Sequence, residues 1–410
     1  MTTADLQQDP PIRKKAFGLP FDTMLLVIVG ALVAFGLMMV YSATFDWSYR
    51  QYGSPTTIFI RQLEWLALGL TFMFIAAHVD YRWWKKLALP LMILTLGALL
   101  WVLVFGSPVF GAQRSFFRGS VQPSELAKFV TIVYLAAWLD SKGDRIREAG
   151  YGIIPFAMIV GIVAGLILLQ PDLSATATVL IVASLMFFVS GADILQMGLV
   201  GLFGSGTIWL VLQVSATGRQ RLADYLIGLQ DLTQASWHIK QAAIAFVNGG
   251  FFGRGLGESH QKFGFLPTPH TDSIFAIIGE ELGLLGCLFV IALFVVLIWR
   301  GFKITAQARD PLGAILAAGI VAWVALEALI NIAVMVGVLP FAGNALPFIS
   351  YGGSNLVVTL TAIGVLLSVS RRRDNETIPR KTRAAGLLRD ATIDFGRRDR
   401  RWSVSRLIRR

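Results

Sequence analysis

Residues 23–43 read TMLLVIVGALVAFGLMMVYSA, a stretch without one charged side chain. As an α-helix rising 1.5 Å per residue it would reach about 30 Å, the thickness of a bilayer's hydrocarbon core. The basic residues Arg13, Lys14 and Lys15 ahead of it give it the outline of a secretory signal. It is too long for a signal's apolar core and no small-residue cleavage site follows, so it reads as an uncleaved first span. Nine further apolar runs follow, at about 57–78, 87–107, 122–139, 152–170, 173–190, 194–214, 274–299, 311–336 and 346–370. Polar or glycine-rich breaks separate them. The pattern predicts an all-α polytopic membrane protein with about ten transmembrane helices.

Composition agrees. The chain is 55% hydrophobic and 15% charged, with a mean hydropathy of +0.65, whereas a soluble domain is about 25% charged. Cys287 is the single cysteine and lies inside an apolar run, so no intrachain disulfide exists and packing is its expected role. An even number of spans puts both termini on one side. The N-terminus, the Arg82/Lys85/Lys86 loop, Lys142/Arg145/Arg147, Arg300/Lys303/Arg309 and the tail from Arg371 share one set of alternating loops, which is the richer in Lys and Arg. By the positive-inside rule the termini are cytoplasmic. The expected layout is a cytoplasmic segment 1–21, a ten-helix domain 22–370 and a basic cytoplasmic tail 371–410. A long outer segment at about 215–273 separates the seventh and eighth spans. The tail carries 14 Lys/Arg against 5 Asp/Glu; no nucleic-acid motif accompanies that charge, and attraction to anionic membrane lipids accounts for it.

Mapped onto this topology, the unusual polar residues converge on the outer side. The run at 122–139 is preceded by Gly111-Ala112-Gln113-Arg114 and opens Gln122-Pro123-Ser124-Glu125-Leu126-Ala127-Lys128. Glu125 and Lys128, three apart, share a helical face and can pair. Such a pair serves stability alone or marks a functional site, since intramembrane charges are expensive. Gln170-Pro171-Asp172-Leu173 forms a tight outer turn in which Asp172 can cap the next helix. Near the last outer turn lies Gly343-Asn344-Ala345-Leu346-Pro347-Phe348-Ile349-Ser350-Tyr351-Gly352-Gly353-Ser354-Asn355, whose paired glycines suit helix packing or ligand contact.

The long outer segment holds Gly249-Gly250-Phe251-Phe252-Gly253-Arg254-Gly255-Leu256-Gly257, then Gln261-Lys262, then Leu266-Pro267-Thr268-Pro269-His270-Thr271-Asp272. Its glycines fit neither a Walker loop nor a dinucleotide fingerprint. They offer an anion cradle beside Arg254 and Lys262, or a plain flexible loop. Asp272 stands where it can cap the following helix. His260, His270 and Asp272 match no recognised zinc spacing. Glu280 and Glu281, two turns into the run at 274–299, are expected to face inward against basic groups, and Glu327 and Asn331 to make similar interior contacts.

Together these clusters resemble the FtsW/RodA (SEDS) family of cell-wall polymerases over roughly residues 22–370. The matching motifs are Met39-Val40-Tyr41-Ser42-Ala43, Asp80-Tyr81-Arg82, Gly111-Ala112-Gln113-Arg114, Gln122 to Lys128, Gln170-Pro171-Asp172-Leu173, His270-Thr271-Asp272, Gly279-Glu280-Glu281-Leu282-Gly283 and Pro347 to Ser354. Gly255-Leu256-Gly257, Gln261-Lys262 and Ile278 to Gly286 look more like the division branch, FtsW, than the elongation branch, RodA. The chain departs from the family at Thr268, usually glutamate, at Ser273, usually phenylalanine, and after Gln241, where serine is usual.

The resemblance implies an inverting peptidoglycan glycosyltransferase in the bacterial cytoplasmic (inner) membrane, polymerising lipid II into glycan strands. Asp272 matches the family's catalytic position and is assigned as general base or hydroxyl-orienting group. Arg114, Lys128 and Lys262 are assigned to charge on the leaving pyrophosphate; Glu125, His270 and Ser350 complete the candidate substrate-binding set. The resemblance implies no resident metal and leaves a divalent cation, Mg or Mn, open. Its implied partners are a class B penicillin-binding protein, a transpeptidase, and other divisome or elongasome membrane proteins. The rival reading is a lipid II flippase, which also suits ten helices and a polar interior; a third is a scaffold for division partners.

Overall fold

The computed structural model describes residues 21–105, 107–109, 112–115, 122–214 and 216–371. The segment 1–20 and the basic tail from 372 lie outside the described residues. Helix α1 (Thr23–Tyr52) begins where the Asp22 carboxylate accepts from the Leu25 N–H at 3.0 Å and stops at Gly53, which is in the left-handed conformation. Then come α2 (Thr57–His78), α3 (Arg82–Phe105) and a small antiparallel hairpin of β1 (Ser107–Val109) and β2 (Ala112–Ser115). The remaining helices are α4 (Pro123–Lys142), α5 (Ile153–Leu169), α6 (Leu173–Val189), α7 (Ile194–Val214), α8 (Ala216–Gln230), α9 (Trp237–Gly249), α10 (Ile274–Ala306), α11 (Pro311–Met335) and α12 (Gly353–Ser370).

Each of the ten apolar runs contains a helix, α1–α7 and α10–α12. Six of them, α1, α2, α3, α10, α11 and α12, are long and apolar enough to cross a membrane; α5, α6 and the first part of α7 are shorter apolar helices. The chain is a multi-pass membrane protein. Several boundaries differ from the sequence reading. Arg82, Lys85 and Lys86 lie on the first turns of α3, and Arg300 and Lys303 on the last turns of α10, because apolar periodicity does not register where a helix leaves the hydrocarbon. The last run starts at 346 but its helix starts at Gly353; Pro347 lacks an N–H and restricts the residue before it. The long outer segment holds two helices, α8 and α9, and the hairpin is an addition to an otherwise α-helical fold.

The bundle is apolar inside and out. On α3, Leu94, Trp101 and Val104 are well over half exposed, which lipid rather than water accommodates. Helix α11 runs through the middle, packed on α4, α6 and α10, with Trp323 fully buried. Where no water is expelled, close backbone approach supplies the attraction. Helices α2 and α12 show it: a Cβ on Gly69 would stand 3.3 Å from the Val357 Cα, and one on Gly364 2.9 Å from the Met73 Cα.

Candidate active site

Asp272 sits in the turn just before α10, partly exposed. It does not occupy the N-cap position, which belongs to Ser273; the Ser273 hydroxyl instead donates to the Pro267 carbonyl at 3.2 Å. Three successive carbonyls fix the turn. That of His270 accepts from the Tyr351 N–H at 2.8 Å, that of Thr271 from the Ser350 hydroxyl at 2.6 Å, and that of Asp272 from the Asn331 amide at 2.8 Å. Asn331, on α11, also donates to the Asn344 carbonyl, and the Asn344 amide returns to the Glu327 carbonyl at 3.0 Å. The Asp272 carboxylate faces Gly343: a Cβ there would come within 2.9 Å of its Oδ2. Every residue larger than glycine at 343 would push on that carboxylate.

The other outer clusters meet the same loop. Ser174 bridges the Asp172 carboxylate (3.1 Å) and the Gly343 carbonyl (3.4 Å). Asp172 caps α6 as expected, accepting from the Ala175 N–H at 3.2 Å. It also accepts from Gln122 at 2.9 Å and Ser124 at 3.1 Å, which ties the start of α4 to the start of α6. So Gln122, Asp172, Gly343 and Asp272, up to 221 positions apart in the sequence, form one patch.

Lys128 is placed otherwise than its assignment suggested. It is buried between Glu125, at 2.9 Å, and Glu327, with Trp323 beneath it at 5.6 Å. Glu125 also accepts from Asn355 of α12 at 2.7 Å. The group links α4, α11 and α12, and its carboxylates offset the desolvation of the ammonium. Lys262 is likewise buried, on Glu281 at 2.9 Å and the Gly257 carbonyl at 2.6 Å; Glu281 takes the Ser42 hydroxyl of α1 on both oxygens. Glu280 accepts from Ser259, from the His260 and Gln261 N–H groups at 3.2 and 3.1 Å, and from Asn248 at 3.3 Å, with Arg254 3.8 Å away. Both glutamates face inward against basic groups, as read from the sequence.

These glutamates flank a break in α10 at Gly283, whose φ is 67°. The glycine-rich stretch docks onto the break: Arg254 and Gly255 donate to the Glu280 and Glu281 carbonyls at 3.0 Å, and Leu284 donates to the Gly250 carbonyl at 2.9 Å. A Cβ on Gly253, itself at φ 79°, would collide with the Glu281 carbonyl. The stretch is thus neither an anion cradle nor a loose loop, since those N–H groups are taken by the helix.

His270 stacks on Trp47, ring centroids 5.2 Å apart, and meets the edge of Tyr351 at 5.7 Å. Burial pushes its imidazole down to about 4, so it is neutral at pH 7. Ser350 acts through the Thr271 carbonyl and also accepts from the Leu346 N–H at 2.8 Å. Of Arg114 the structure describes only the backbone, in β2; its side chain lies outside the described residues. Among the described residues no three His, Cys, Asp or Glu side chains converge as a metal would need, and Glu280 and Glu281 are engaged by their own donors. These residues do not fit a resident cation, and no step is drawn through one. The sequence reading missed Ser174, Gly343 and Asn344; the signal was a polar or small residue at each outer break.

The family model for cell cycle proteins of the FtsW, RodA and SpoVE type matches residues 22–375. The chain belongs to that family. It is 39% identical over 370 residues to a probable peptidoglycan glycosyltransferase FtsW of Trichlorobacter lovleyi, covering 88% of this chain and 96% of that one. It is 40% identical to stage V sporulation protein E of Bacillus subtilis, covering 85% and 97%. Among solved structures it matches one of a peptidoglycan synthase complex that coordinates polymerization and crosslinking (TM-score 0.70, 28% identity, 88% and 100% covered). Thermus thermophilus RodA matches with TM-score 0.64 at 28% identity, covering 87% and 99%. Within the family the chain is nearer FtsW than RodA. Where it departs from the family pattern, the turn before Asp272 closes on itself: Thr268 adopts φ 45° and its carbonyl accepts from the Thr271 N–H at 3.2 Å.

Proposed function

We propose that this chain polymerises lipid II into peptidoglycan strands at the outer face of the bacterial cytoplasmic membrane, in cell division, with Asp272 as its base. The observation that carries this is Asp272 itself, held through three consecutive carbonyls at the mouth of the bundle and faced by a glycine. The names of its relatives support the chemistry. In this reading ten helices span the membrane with both termini cytoplasmic, supported by a helix in every apolar run and by the Lys/Arg bias of the loops.

The acceptor's GlcNAc 4-hydroxyl attacks the anomeric carbon of the donor's MurNAc. The new C–O bond forms as the bond to phosphate breaks, the hydroxyl proton passes to Asp272, and undecaprenyl pyrophosphate leaves with its electron pair. One displacement turns an α-linked donor into a β-1,4 bond, so a single carboxylate within hydrogen-bond reach of the hydroxyl suffices. Fixing that carboxylate beforehand lowers the entropic part of the barrier. The crosslinking partner is a class B penicillin-binding protein, supported by the resemblance to a synthase complex.

The test is polymerisation of labelled lipid II by the purified chain with its class B partner made transpeptidase-inactive, the partner alone serving as control. Wild type should make long strands and Asp272→Asn none at matched folding. Equal product from both would refute the assignment. Translocation of lipid II that survives in Asp272→Asn, without strand formation by either protein, would favour the flippase.

A further inference from the structure

The sequence assigned the leaving pyrophosphate to Arg114, Lys128 and Lys262. Lys128 borders only a void of about 10 Å³, and Lys262 is enclosed by Glu281, Gly257, Phe45 and Phe263. Another cation is placed differently. Arg221 of α8 is half-buried, lies 5.5 Å over the Phe341 ring and lines two cavities at once. One, about 490 Å³, is polar at its floor, with Asp224, Tyr225 and His238. The other, about 350 Å³, is a crevice between α6, α8 and α11 walled by Ala177, Leu180, Leu222 and Ile330. Phe341 lines both.

The crevice runs to the candidate active site. Ser174 and Ala342 line it, Ser174 donates to the Gly343 carbonyl, and Gly343 faces the Asp272 carboxylate. From Phe341 to Gly343 the chain can span at most about 7 Å. A greasy slot, a guanidinium at its rim and a carboxylate beyond are the features that a prenyl chain, its pyrophosphate and the sugar it carries would need, in that order. Arginine's planar fork suits phosphate oxygens. His238, stacked on Phe341 at 4.1 Å, is held below the ordinary histidine range by burial and by the Arg221 charge, which leaves Arg221 the cation of this rim.

We infer that Arg221 and the crevice behind it form the binding site for the isoprenoid pyrophosphate end of the donor, Arg221 gripping the phosphates and the α6–α8–α11 crevice taking the first isoprene units. This rests on the polymerase reading for the ligand's identity but is tested without catalysis.

The experiment is binding of radiolabelled farnesyl pyrophosphate to the full-length protein in phosphatidylcholine nanodiscs, with empty nanodiscs subtracted. Wild type should bind saturably. Arg221→Ala should weaken binding about tenfold or more, the loss of one charge-assisted contact, and Arg221→Lys by less. Ala177→Phe, which narrows the crevice without changing charge, should also weaken it. Gel filtration and thermal unfolding check each variant; if Arg221→Ala does not fold, Arg221→Lys and Ala177→Phe still decide. No saturable binding by wild type, or equal binding by the Arg221 and Ala177 variants, overturns the inference. Displacement of the probe by phosphatidylglycerol added to the nanodiscs overturns it too, marking an anionic-lipid site. Strand synthesis by wild type without Arg221-dependent binding would sink this inference alone; Arg221-dependent binding without strand synthesis would sink the polymerase reading alone.

Discussion

Replacing Asn331 with alanine removes one amide that holds two main-chain carbonyls, those of Asp272 and Asn344. Asn331 is 2% exposed, so water cannot readily replace it. Leaving a buried acceptor unsatisfied costs about 1–3 kcal/mol, and two acceptors give roughly 2–6 kcal/mol if neither finds a new donor. Local relaxation toward the partly open Asp272 turn should keep the loss at the lower end, about 2–3 kcal/mol. Catalysis should suffer more than folding. Displacing a reacting group by about 1 Å costs on the order of 100-fold in rate, and the Asp272 carbonyl is one of three anchors of its turn. The expected outcome is a kcat reduced about 10- to 100-fold with KM for lipid II nearly unchanged, because the carboxylate remains and only its aim is lost. The assay is strand synthesis at varied lipid II, alongside thermal unfolding in the same detergent. An Asn331→Ala enzyme with wild-type kcat would show that the α11 anchor does not position Asp272, and the argument from the three carbonyls would fail.

Gly343→Ala should lower kcat at least about tenfold with little change in Tm, because its methyl meets the Asp272 Oδ2 at 2.9 Å and a sub-ångström shift of a base suffices; an unchanged rate would contradict the close approach. His270 lies below its unfolded value near 6.5, at about 4, so the unfolded chain binds the extra proton. The stability held at neutral pH is therefore lost as pH falls from about 6.5 to 4, by at most about 3 kcal/mol; His270→Phe should flatten that part of the Tm-versus-pH curve. Lys262→Met alone leaves Glu281 buried and should destabilise by about 3–5 kcal/mol, while Lys262→Met with Glu281→Gln should recover most of it. Activity that recovers with stability in the double variant marks Lys262 as structural; a stable but inactive one would return it to the pyrophosphate.

The helices were legible because a bilayer demands long apolar runs, and all ten runs contain helices. What sequence could not carry was depth in the bundle. Lys128 and Lys262 read as cations available to an anion, and only the fold shows Glu327, 199 positions from Lys128, and Glu281 closing on them. Helices α8 and α9 escaped because the segment around them mixes polar, glycine-rich and apolar stretches, with no run long enough to read as a span. Asp272 was found through a motif; its three anchors were not, since two of them come from a loop whose residues read as packing glycines and an ordinary serine. Asn331 was expected to be an interior contact, without any sign that the contact was Asp272.

Two aspartates mark the outer clusters, and the structure separates their roles by what holds each. An ionised carboxylate has about four acceptor sites. Those of Asp172 are met by four donors: Ser174 and the Ala175 N–H on one oxygen, Gln122 and Ser124 on the other. Glu280 is surrounded the same way, by Ser259, Asn248 and two N–H groups. A substrate hydroxyl could reach either carboxylate only by displacing a donor that joins two helices or pins the outer loop. Asp272 is fixed by its main chain instead, and its partly exposed side chain is directed at the one neighbour, Gly343, that has no side chain to oppose it. Holding a base through its backbone sets its position without spending its oxygens on the holding. That division of labour is why Asp272, among the carboxylates of the outer clusters, is the one built to receive a proton.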